Sequence, residues 1–279
     1  KNLFNMKNYN LNICAPTDGR YSSLCKEIND VFCEHNLIKM RVKVEIEWFI
    51  FLASQRGIES LPKLSESQTK KLRKIYQDFS LKDSTSVKKI EDTTKHDVKA
   101  VEYFIKNKIK NNKLVNKYNE HIHICCTSED INNIAYSLMI KEGRDQLINH
   151  VNMIQRAIRS MGKKYKNIAM LSHTHGQPAS PTTMGKEFIN FHRRLSAQID
   201  DLNNIQIKGK FNGATGNYSA HSITYPKVDW PKCMKRFVNS LKIEFNSHTT
   251  QIEPHDYIAD LCHKINHINS ILIGFSQDI

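Results

Sequence analysis

The sequence predicts an all-α protein in which a small helical N-terminal domain precedes a bundle of long helices. Ten glycines and seven prolines among 279 residues are about half of average usage, so turns are few and long helices are favoured. Apolar residues also recur at alternating spacings of three and four over long stretches, which is the helical period. Together these observations argue against sandwiches, barrels and glycine-rich repeat folds.

Two apolar stripes predict helices in the N-terminal part of the chain. One comprises Leu37, Met40, Val44, Trp48 and Phe51, and the other comprises Val98, Val101, Ile105 and Ile109. A stretch rich in Lys and Asn follows at residues 106–117 and is the expected domain boundary. We therefore expect a helical domain over residues 1–115 and a helical-bundle domain over residues 116–279.

Three longer stripes predict the bundle, because helices packed at shallow angles show this 4-3 rhythm. They comprise Leu147, Val151, Ile154, Ile158 and Met161; Phe188, Phe191, Leu195, Ile199 and Leu202; and Tyr257, Leu261, Ile265, Ile268, Leu272, Phe275 and Ile279. Helix starts are expected at Thr127 with Asp130, as a capping box, and near Pro181 and Pro231. The last stripe is still in phase at Ile279 without a C-cap, so the bundle domain is expected to be truncated.

The charge and hydropathy exclude some functions. The mean hydropathy is −0.53, and no apolar run reaches the ~18 residues that cross a bilayer. The formal net charge is +13, which could indicate a polyanion partner. The lysines, however, are scattered among asparagines rather than interleaved with aromatic and Arg residues. A nucleic-acid interface is therefore disfavoured, and a basic surface that steers small anionic substrates is an equally physical use of the same charge.

The seven cysteines form no C-x-x-C pair, so they are interpreted as reduced thiols in a cytosol-like compartment. The first twelve residues lack the pattern of a signal or transit peptide. We expect a cytoplasmic protein.

A histidine-containing segment, S-H-T-H-G-Q-P at residues 172–178, lies between two helical stripes and is predicted to be a loop. Imidazole titrates near neutrality, so a loop histidine is well suited to general acid or base chemistry. The plainer interpretation is a pair of histidines bonded to loop carbonyls. A metal site at H-x-H lacks a third ligand at a suitable spacing.

Two further polar segments stand at predicted helix starts. Thr127–Asp130 would expose backbone N–H groups that favour a carboxylate or phosphate ligand, or would simply cap the helix. Lys95, His96 and Asp97 combine a cation, a titratable ring and a carboxylate, or form a solvated helix start.

Other candidate motifs indicate little chemistry. The glycine-rich residues 209–216 match neither a dinucleotide-binding fingerprint nor a P-loop, so they indicate only tight turns and close backbone approach. His263 and His267 have a zinc-compatible spacing but no third ligand, and His121 with His123 is interpreted as structural. No metal or other cofactor is expected.

Taken together, segments along nearly the whole chain resemble the adenylosuccinate lyases of the fumarase/aspartase superfamily. They are P-T-D-G-R-Y (residues 16–21), T-K-H-D-V-K-A-V-E-Y (94–103), C-T-S-E-D-I-N-N (126–133), T-H-G-Q-P-A (174–179), G-A-T-G-N-Y (213–218) and T-T-Q-I-E-P-H-D (249–256). The D-G-R-Y and K-H-D segments are the ones that point to these lyases within the superfamily.

The resemblance implies β-elimination of fumarate from adenylosuccinate, giving AMP, and from the succinylated carboxamide nucleotide (SAICAR), giving AICAR. It implies His175 as the general acid and His96 as a second catalytic histidine that orients His175 or the substrate phosphate. It further implies substrate contacts as follows: Arg20 and Tyr21 with the phosphate, Lys95 and Asp97 along the nucleotide site, Thr127 and Ser128 with a carboxylate or sugar, and Gln251 with the succinyl or base region.

The sequence departs from the family pattern in two places. Lys95 stands where many relatives have Asn, and the signature loop with the serine base is expected beyond Ile279, so the 279 residues alone are expected to be inactive. The family also implies a homotetramer whose active sites are shared between subunits. The alternatives are another fumarate-releasing lyase, such as an argininosuccinate lyase, or a basic non-enzymatic module that binds nucleotides or nucleic acid.

Overall fold

The computed structural model describes residue 21 and residues 23–279. The chain divides into two compact units. The first contains residues up to Gly143 together with Ile207–Pro254, and the second contains Arg144–Gln206 and His255–Ile279. This grouping by contacts differs from the linear division expected at residue 115, because residues 207–254 pack with the first half of the chain. The domain division itself stays a prediction.

The elements are mostly helices, which confirms the all-α class. In chain order they are α1 (Lys26–Phe32), α2 (Glu34–Leu52), α3 (Glu66–Gln77), α4 (Leu81–Thr94), α5 (Asp97–Ile109), α6 (Lys113–Asn116), α7 (Ser128–Lys164), β1 (Ala169–Thr174), β2 (Gln177–Thr183), α8 (Met184–Asn204), β3 (Lys208–Gly209), α9 (Ser219–Thr224), α10 (Trp230–Ser240), β4 (Glu244–Phe245) and α11 (Asp256–Asp278). A 3-10 turn at Asn119–His121 precedes α7. None of the described helices is long and apolar enough to cross a membrane.

The core of the first unit is built around α2. Val44 and Trp48 of the predicted stripe are fully buried, and buried residues such as Val42 occupy the other faces as well. The Trp48 ring lies 4.7 Å from the Phe211 ring and 5.2 Å from the Phe237 ring, centroid to centroid. Helix α2 is therefore enclosed by its neighbours rather than amphipathic.

Helices α5 and α10 begin as the sequence predicts. The α5 stripe from Val98 to Ile109 is buried throughout, and His96 caps this helix by accepting the Lys99 N–H. Asp229 caps α10 in the same way, with Pro231 in the first turn. Both starts follow from local side-chain to backbone bonding.

The second unit contains the rest of α7, the β1–β2 pair, α8 and α11. The predicted stripes are buried at Val151 and Ile158 on α7 and at Leu195 and Leu202 on α8. On α11 the buried positions are Tyr257, Leu261, Ile268 and Ile271, so the stripe shifts by one residue from the predicted Leu272.

Residues 169–183 correct two expectations. The predicted loop is an antiparallel hairpin in which Leu171 pairs with Pro181 and Thr174 with Gln177. The expected helix start near Pro181 is wrong, since α8 begins at Met184. A strand with no neighbour on one side tolerates Pro, because its missing N–H has no ladder partner to lose. A second small sheet pairs β3 with β4 in parallel.

Candidate functional site

The starts of α5 and α7 meet in the first unit and bring together two of the predicted site residues. His96 Nε2 lies 3.3 Å from Ser128 Oγ. His96 Nδ1 accepts the Lys99 N–H at 3.2 Å. A neutral ring therefore carries its hydrogen on Nε2, and this N–H donates a hydrogen bond to Ser128 Oγ. About half of the His96 side chain is exposed. A ligand in front of these helix starts can therefore reach both groups.

Asp97 is held beside this pair by a buried arginine. Arg41 Nη2 lies 2.7 Å from Asp97 Oδ2, with 8% of the Arg41 side chain exposed. Arg41 Nε donates to Asn132 Oδ1 at 2.8 Å, which links α2, α5 and α7. Asp97 Oδ1 is 3.6 Å from His96 Nδ1, so the carboxylate lies next to the ring that it was predicted to accompany.

Lys95 and Thr127 precede the two helix starts. Lys95 is exposed and has a left-handed backbone with φ of 54°, a conformation that Asn adopts more readily than Lys. The Thr127 N–H donates to Asp130 Oδ2 at 2.9 Å, which is one half of the predicted capping box. That N–H is therefore bonded within the protein rather than free for a ligand.

The glycine-rich segment lies against the start of α7 and connects it to the loop that carries Gln251. Asp130 accepts the Gly213 N–H at 3.1 Å, and Asn212 Nδ2 donates to Thr249 Oγ1 at 2.8 Å. Gln251 is exposed. Next to it, a cavity of about 470 Å³ is lined by Gly216, residues 247–250, Ile252 and Pro254. The close approach expected of residues 209–216 is confirmed.

A histidine not singled out in the sequence is buried behind this segment. His221 is 0% exposed, and neither ring nitrogen has a hydrogen-bond partner among the described residues. Burial lowers its pKa from 6.5 to about 4. The neighbouring Tyr218 has its pKa raised to about 12, chiefly by burial and also by Asp130. His221 is therefore a neutral core group at physiological pH.

The histidines expected to be structural have internal partners. His121 Nε2 lies 2.8 Å from Ser60 Oγ, and His123 Nδ1 lies 2.6 Å from the buried Glu45. Burial alone would lower the pKa of His123. The attraction of the Glu45 carboxylate and its hydrogen bond to the ring are together the stronger effect, so the pKa of His123 is raised above its usual value.

The second unit places His175 at the tip of the β1–β2 hairpin. His175 and Gly176 form the two-residue turn with φ of 53° and 74°, which is typical of the type I′ turn that suits hairpins. Both residues are exposed. His175 is thus presented on a short, tightly turned element.

The two predicted phosphate contacts, Arg20 and Tyr21, lie near the N-terminal end of the given sequence. Arg20 lies outside the described residues. Tyr21 is 44% exposed, and its carbonyl accepts N–H groups of Leu24 and Cys25.

Other clusters carry none of the predicted roles. A larger cleft of about 1120 Å³ is lined by residues 54–56 and parts of 227–239, and its lining includes none of the predicted site residues that the structure describes. His263 and His267 are exposed on α11. Within the described part of the chain, no group of three or more His, Cys, Asp or Glu side chains is suited to hold a metal.

Sequence reasoning missed Arg41 and the buried role of Asp130. The signal for Arg41 was weak, because a basic residue on a helix is ordinarily solvated. Asn133 and Ser137 follow Asp130 at helical spacing, so the three share one face of α7, but a polar helix face ordinarily points to solvent and does not signal burial.

Comparison with known proteins decides the family. A sequence profile of a family described as lyase matches residues 19–279. The chain belongs to this lyase family, within the fumarase/aspartase superfamily.

Three curated relatives of this chain are adenylosuccinate lyases. The chain is 45% identical over 270 residues to the adenylosuccinate lyase of Buchnera aphidicola subsp. Schizaphis graminum and 44% identical over 270 residues to that of Escherichia coli K12. It is 45% identical over 271 residues to the adenylosuccinate lyase of Vibrio cholerae. Each alignment covers 96% of this chain but 59% of the relative. The chain therefore spans about three fifths of the length of these relatives.

Solved structures agree on the fold. The β-carboxy-cis,cis-muconate cycloisomerase of Acinetobacter calcoaceticus superposes with a TM-score of 0.72 at 17% identity, over 93% of this chain and 58% of that one. A fumarate lyase of Mesorhizobium sp. BNC1 gives 0.69 at 14% identity, over 91% and 56%. At such identities the likeness concerns the fold alone.

Proposed function

We propose that the whole protein to which this lyase chain belongs is an adenylosuccinate lyase. The observation that carries the proposal is the identity of about 45% to curated adenylosuccinate lyases along 96% of the chain. The proposed reactions are the release of fumarate from adenylosuccinate to give AMP and from SAICAR to give AICAR. The proposal concerns the whole protein, because the chain spans only part of its relatives.

The chemistry needs an acid and a base on opposite sides of the substrate. A base removes the proton on the carbon next to a carboxylate, the C–N bond breaks, and an acid protonates the departing nitrogen. His175 is proposed as that acid. Its exposed position at the tip of a tight turn supports the assignment, since the ring is accessible to a ligand. By resemblance, the base is a serine of the signature loop expected beyond Ile279.

The first unit is proposed to bind the substrate. The His96–Ser128 contact supports a shared role, because both side chains converge at the starts of two helices, where the helix dipoles favour an anionic ligand. Asp97 and Lys95 would line the nucleotide, Thr127 would contact a carboxylate or sugar, and Gln251 would reach the succinyl or base region. Arg20 and Tyr21 would hold the phosphate.

We further propose that the enzyme is a cytoplasmic homotetramer with active sites shared between subunits. Exposed apolar side chains in the second unit support association, among them Met153 at 60% and Leu171 at 48% exposure. Six cysteines of the described chain are free thiols, which suits a reducing compartment. Light scattering that gives a monomer for the full-length protein would contradict the tetramer.

The deciding experiment is an absorbance assay of adenylosuccinate cleavage with fumarate detected independently. It uses the full-length protein, with the 279-residue chain in parallel. Turnover in the full-length protein alone is the expected result. If a folded full-length protein cleaves argininosuccinate instead, the substrate assignment is wrong. If neither is cleaved, and duplex DNA binds with a steep salt dependence while AMP does not bind, a basic binding module is the better reading.

A further inference from the structure

A face of α7 in the first unit is polar and yet completely buried. Asp130, Asn133 and Ser137 follow one another at helical spacing and are each 0% exposed. Ile131 and Ile134 beside them are equally buried. Burying polar groups is unfavourable unless each is hydrogen-bonded. The partners of this face therefore indicate what it holds.

Those partners lie on one segment, residues 208–213. Ser137 Oγ donates to the Lys208 carbonyl at 2.6 Å. Asn133 bonds the Lys210 backbone twice, accepting its N–H at 2.8 Å and donating to its carbonyl at 3.0 Å. Asp130 accepts the Asn212 N–H at 3.1 Å. The three side chains thus fix the segment along the helix residue by residue.

A lysine inside this segment completes the arrangement. Lys210 is 0% exposed, and its Nζ lies 2.9 Å from Asp130 Oδ1. The same Nζ donates to the Gly213 carbonyl at 2.9 Å, which closes a turn at Gly213, where φ is +85°. The cation is therefore bonded to both the helix and the turn.

Stability alone does not explain a buried ion pair of this kind. Replacing such a pair with apolar residues of similar volume is often neutral or stabilising, because desolvation of the two charges offsets their attraction. Contacts between apolar side chains are not directional. An apolar pair would therefore not set the register of the backbone segment as the hydrogen-bonded ion pair does. The fixed geometry is therefore the property that requires an explanation.

The two ends of this arrangement reach proposed substrate groups. Asp130 also accepts the N–H of Thr127, next to Ser128. At the other end, Asn212 bonds Thr249, and Gly216 lies so close that an added Cβ would stand 2.1 Å from the Thr249 carbonyl oxygen. Gln251 follows two residues later.

We propose that Asp130 and Lys210 are positioning residues of the substrate site. They hold residues 208–216 in register on α7 and so set Thr127 and Ser128 relative to the loop that carries Gln251. The inference rests on the proposed function. Because the groups they position bind substrate, loss of the pair raises KM more than it lowers kcat.

The test uses the full-length protein with Asp130→Asn, Lys210→Met and the double variant. Each single variant leaves one buried charge without its partner, so a lowered Tm is expected. The double variant has neither charge of the pair, so no buried charge lacks its partner and its Tm recovers toward that of the unsubstituted protein. Its KM for adenylosuccinate nevertheless stays raised by about tenfold or more, because misplaced groups bind poorly. A double variant with an unchanged KM would overturn the proposal.

A matched control separates positioning from stability. Arg73→Met removes another ion pair of the first unit, the bidentate contact to Glu47 that links α3 to α2. It is expected to lower Tm and leave KM unchanged. If the double variant does not fold, Ser137→Ala tests the same docking. It deletes one hydrogen bond to the segment, and a raised KM with an unchanged kcat is expected, while an unchanged KM opposes the proposal.

The two proposals fail in different ways. If the unsubstituted protein does not cleave adenylosuccinate, the proposed function is wrong. Positioning is then judged by hydrogen exchange at Asn212 and Gly213. Faster exchange in the variants, with unchanged exchange in α5, supports it, and equal exchange refutes it.

Discussion

Two glycine-containing turns, one in each unit, are built in opposite ways. In the first unit, residues 208–216 are fixed by buried and fully bonded side chains of α7. In the second unit, the β1–β2 hairpin is two-stranded, and its residues are mostly exposed, including His175 and Gly176. A two-stranded hairpin is marginally stable without packing on its faces.

The difference concerns what each turn is proposed to do. The groups near residues 208–216 are proposed to bind substrate, and binding groups gain from a structure that is ordered beforehand. The hairpin presents the proposed acid. Its exposed faces agree with the proposal that other parts of the full-length assembly complete the active site around it.

The largest expected effect comes from His175→Ala in the full-length protein. Loss of a general acid lowers kcat by about 10²–10⁴-fold, with a modest loss of nucleotide affinity. Steady-state kinetics with adenylosuccinate, alongside AMP binding by calorimetry, would measure both.

The control for this variant is His173→Ala, two residues away on the same hairpin and also exposed. Its turnover is expected to remain near that of the unsubstituted protein. Near-normal turnover in His175→Ala would remove the acid assignment.

A matched pair of glycine substitutions sharpens the comparison. Gly216 and Gly176 have φ of +77° and +74°, so alanine meets the same backbone strain, about 1–2 kcal/mol, at both. At Gly176 an added Cβ has no atom of the described residues within 4 Å, whereas at Gly216 it lies 2.1 Å from the Thr249 carbonyl oxygen. Gly216→Ala should therefore destabilise by several kcal/mol more.

Denaturant unfolding of the two alanine variants measures that difference. Equal free energies of unfolding for Gly216→Ala and Gly176→Ala would mean that the 247–252 loop moves to make room for the added Cβ. The described packing of the first unit would then be wrong.

The buried His221 predicts a pH effect in the first unit. Its pKa of about 4 in the folded protein lies below about 6.5 for an unfolded histidine. The unfolded state therefore binds a proton at this histidine more readily than the folded state does. The contribution of neutral His221 to the stability of the fold is complete above about pH 6.5 and is lost as the pH falls toward about 4. The loss is at most about 3 kcal/mol.

His221→Phe removes this titration and leaves no ring nitrogen unpaired. The difference in unfolding free energy between the variant and the unsubstituted chain should grow from pH 7 to pH 4.5. Two parallel stability curves across this range would contradict the assignment.

The smallest effect is expected from Ser128→Ala. It deletes the partner of the half-exposed His96 Nε2, a loss of about 1 kcal/mol or roughly fivefold in AMP affinity. Ser86→Ala is the control, because within the described part of the chain the Ser86 hydroxyl bonds only the Lys82 carbonyl of its own helix. An affinity that is the same in both variants would exclude Ser128 from the site.

Local signals let the sequence predict much of the first unit. The α5 stripe and the helix start near Pro231 depend on neighbouring residues only, and both are confirmed. The sequence does not predict the hairpin, because Pro178 indicates a loop and Pro181 indicates a helix start, although the His-Gly pair suits a type I′ turn.

The buried polar face was missed for a different reason. Polar residues at helical spacing ordinarily face solvent, and Asp130 was interpreted only as a cap. Its other partners lie some 80 residues away along the chain. Such a pairing is set by tertiary packing, which local patterns do not carry.

Hydrogen exchange on the 279-residue chain tests the contrast between the two turns most directly. Amides of Lys210, Asn212 and Gly213 should exchange as slowly as those of the buried helix α5, because their opening requires loss of the α7 face. Amides of the β1–β2 hairpin should exchange orders of magnitude faster. Exchange at residues 210–213 as fast as in the hairpin would contradict a preformed substrate-binding region in the first unit.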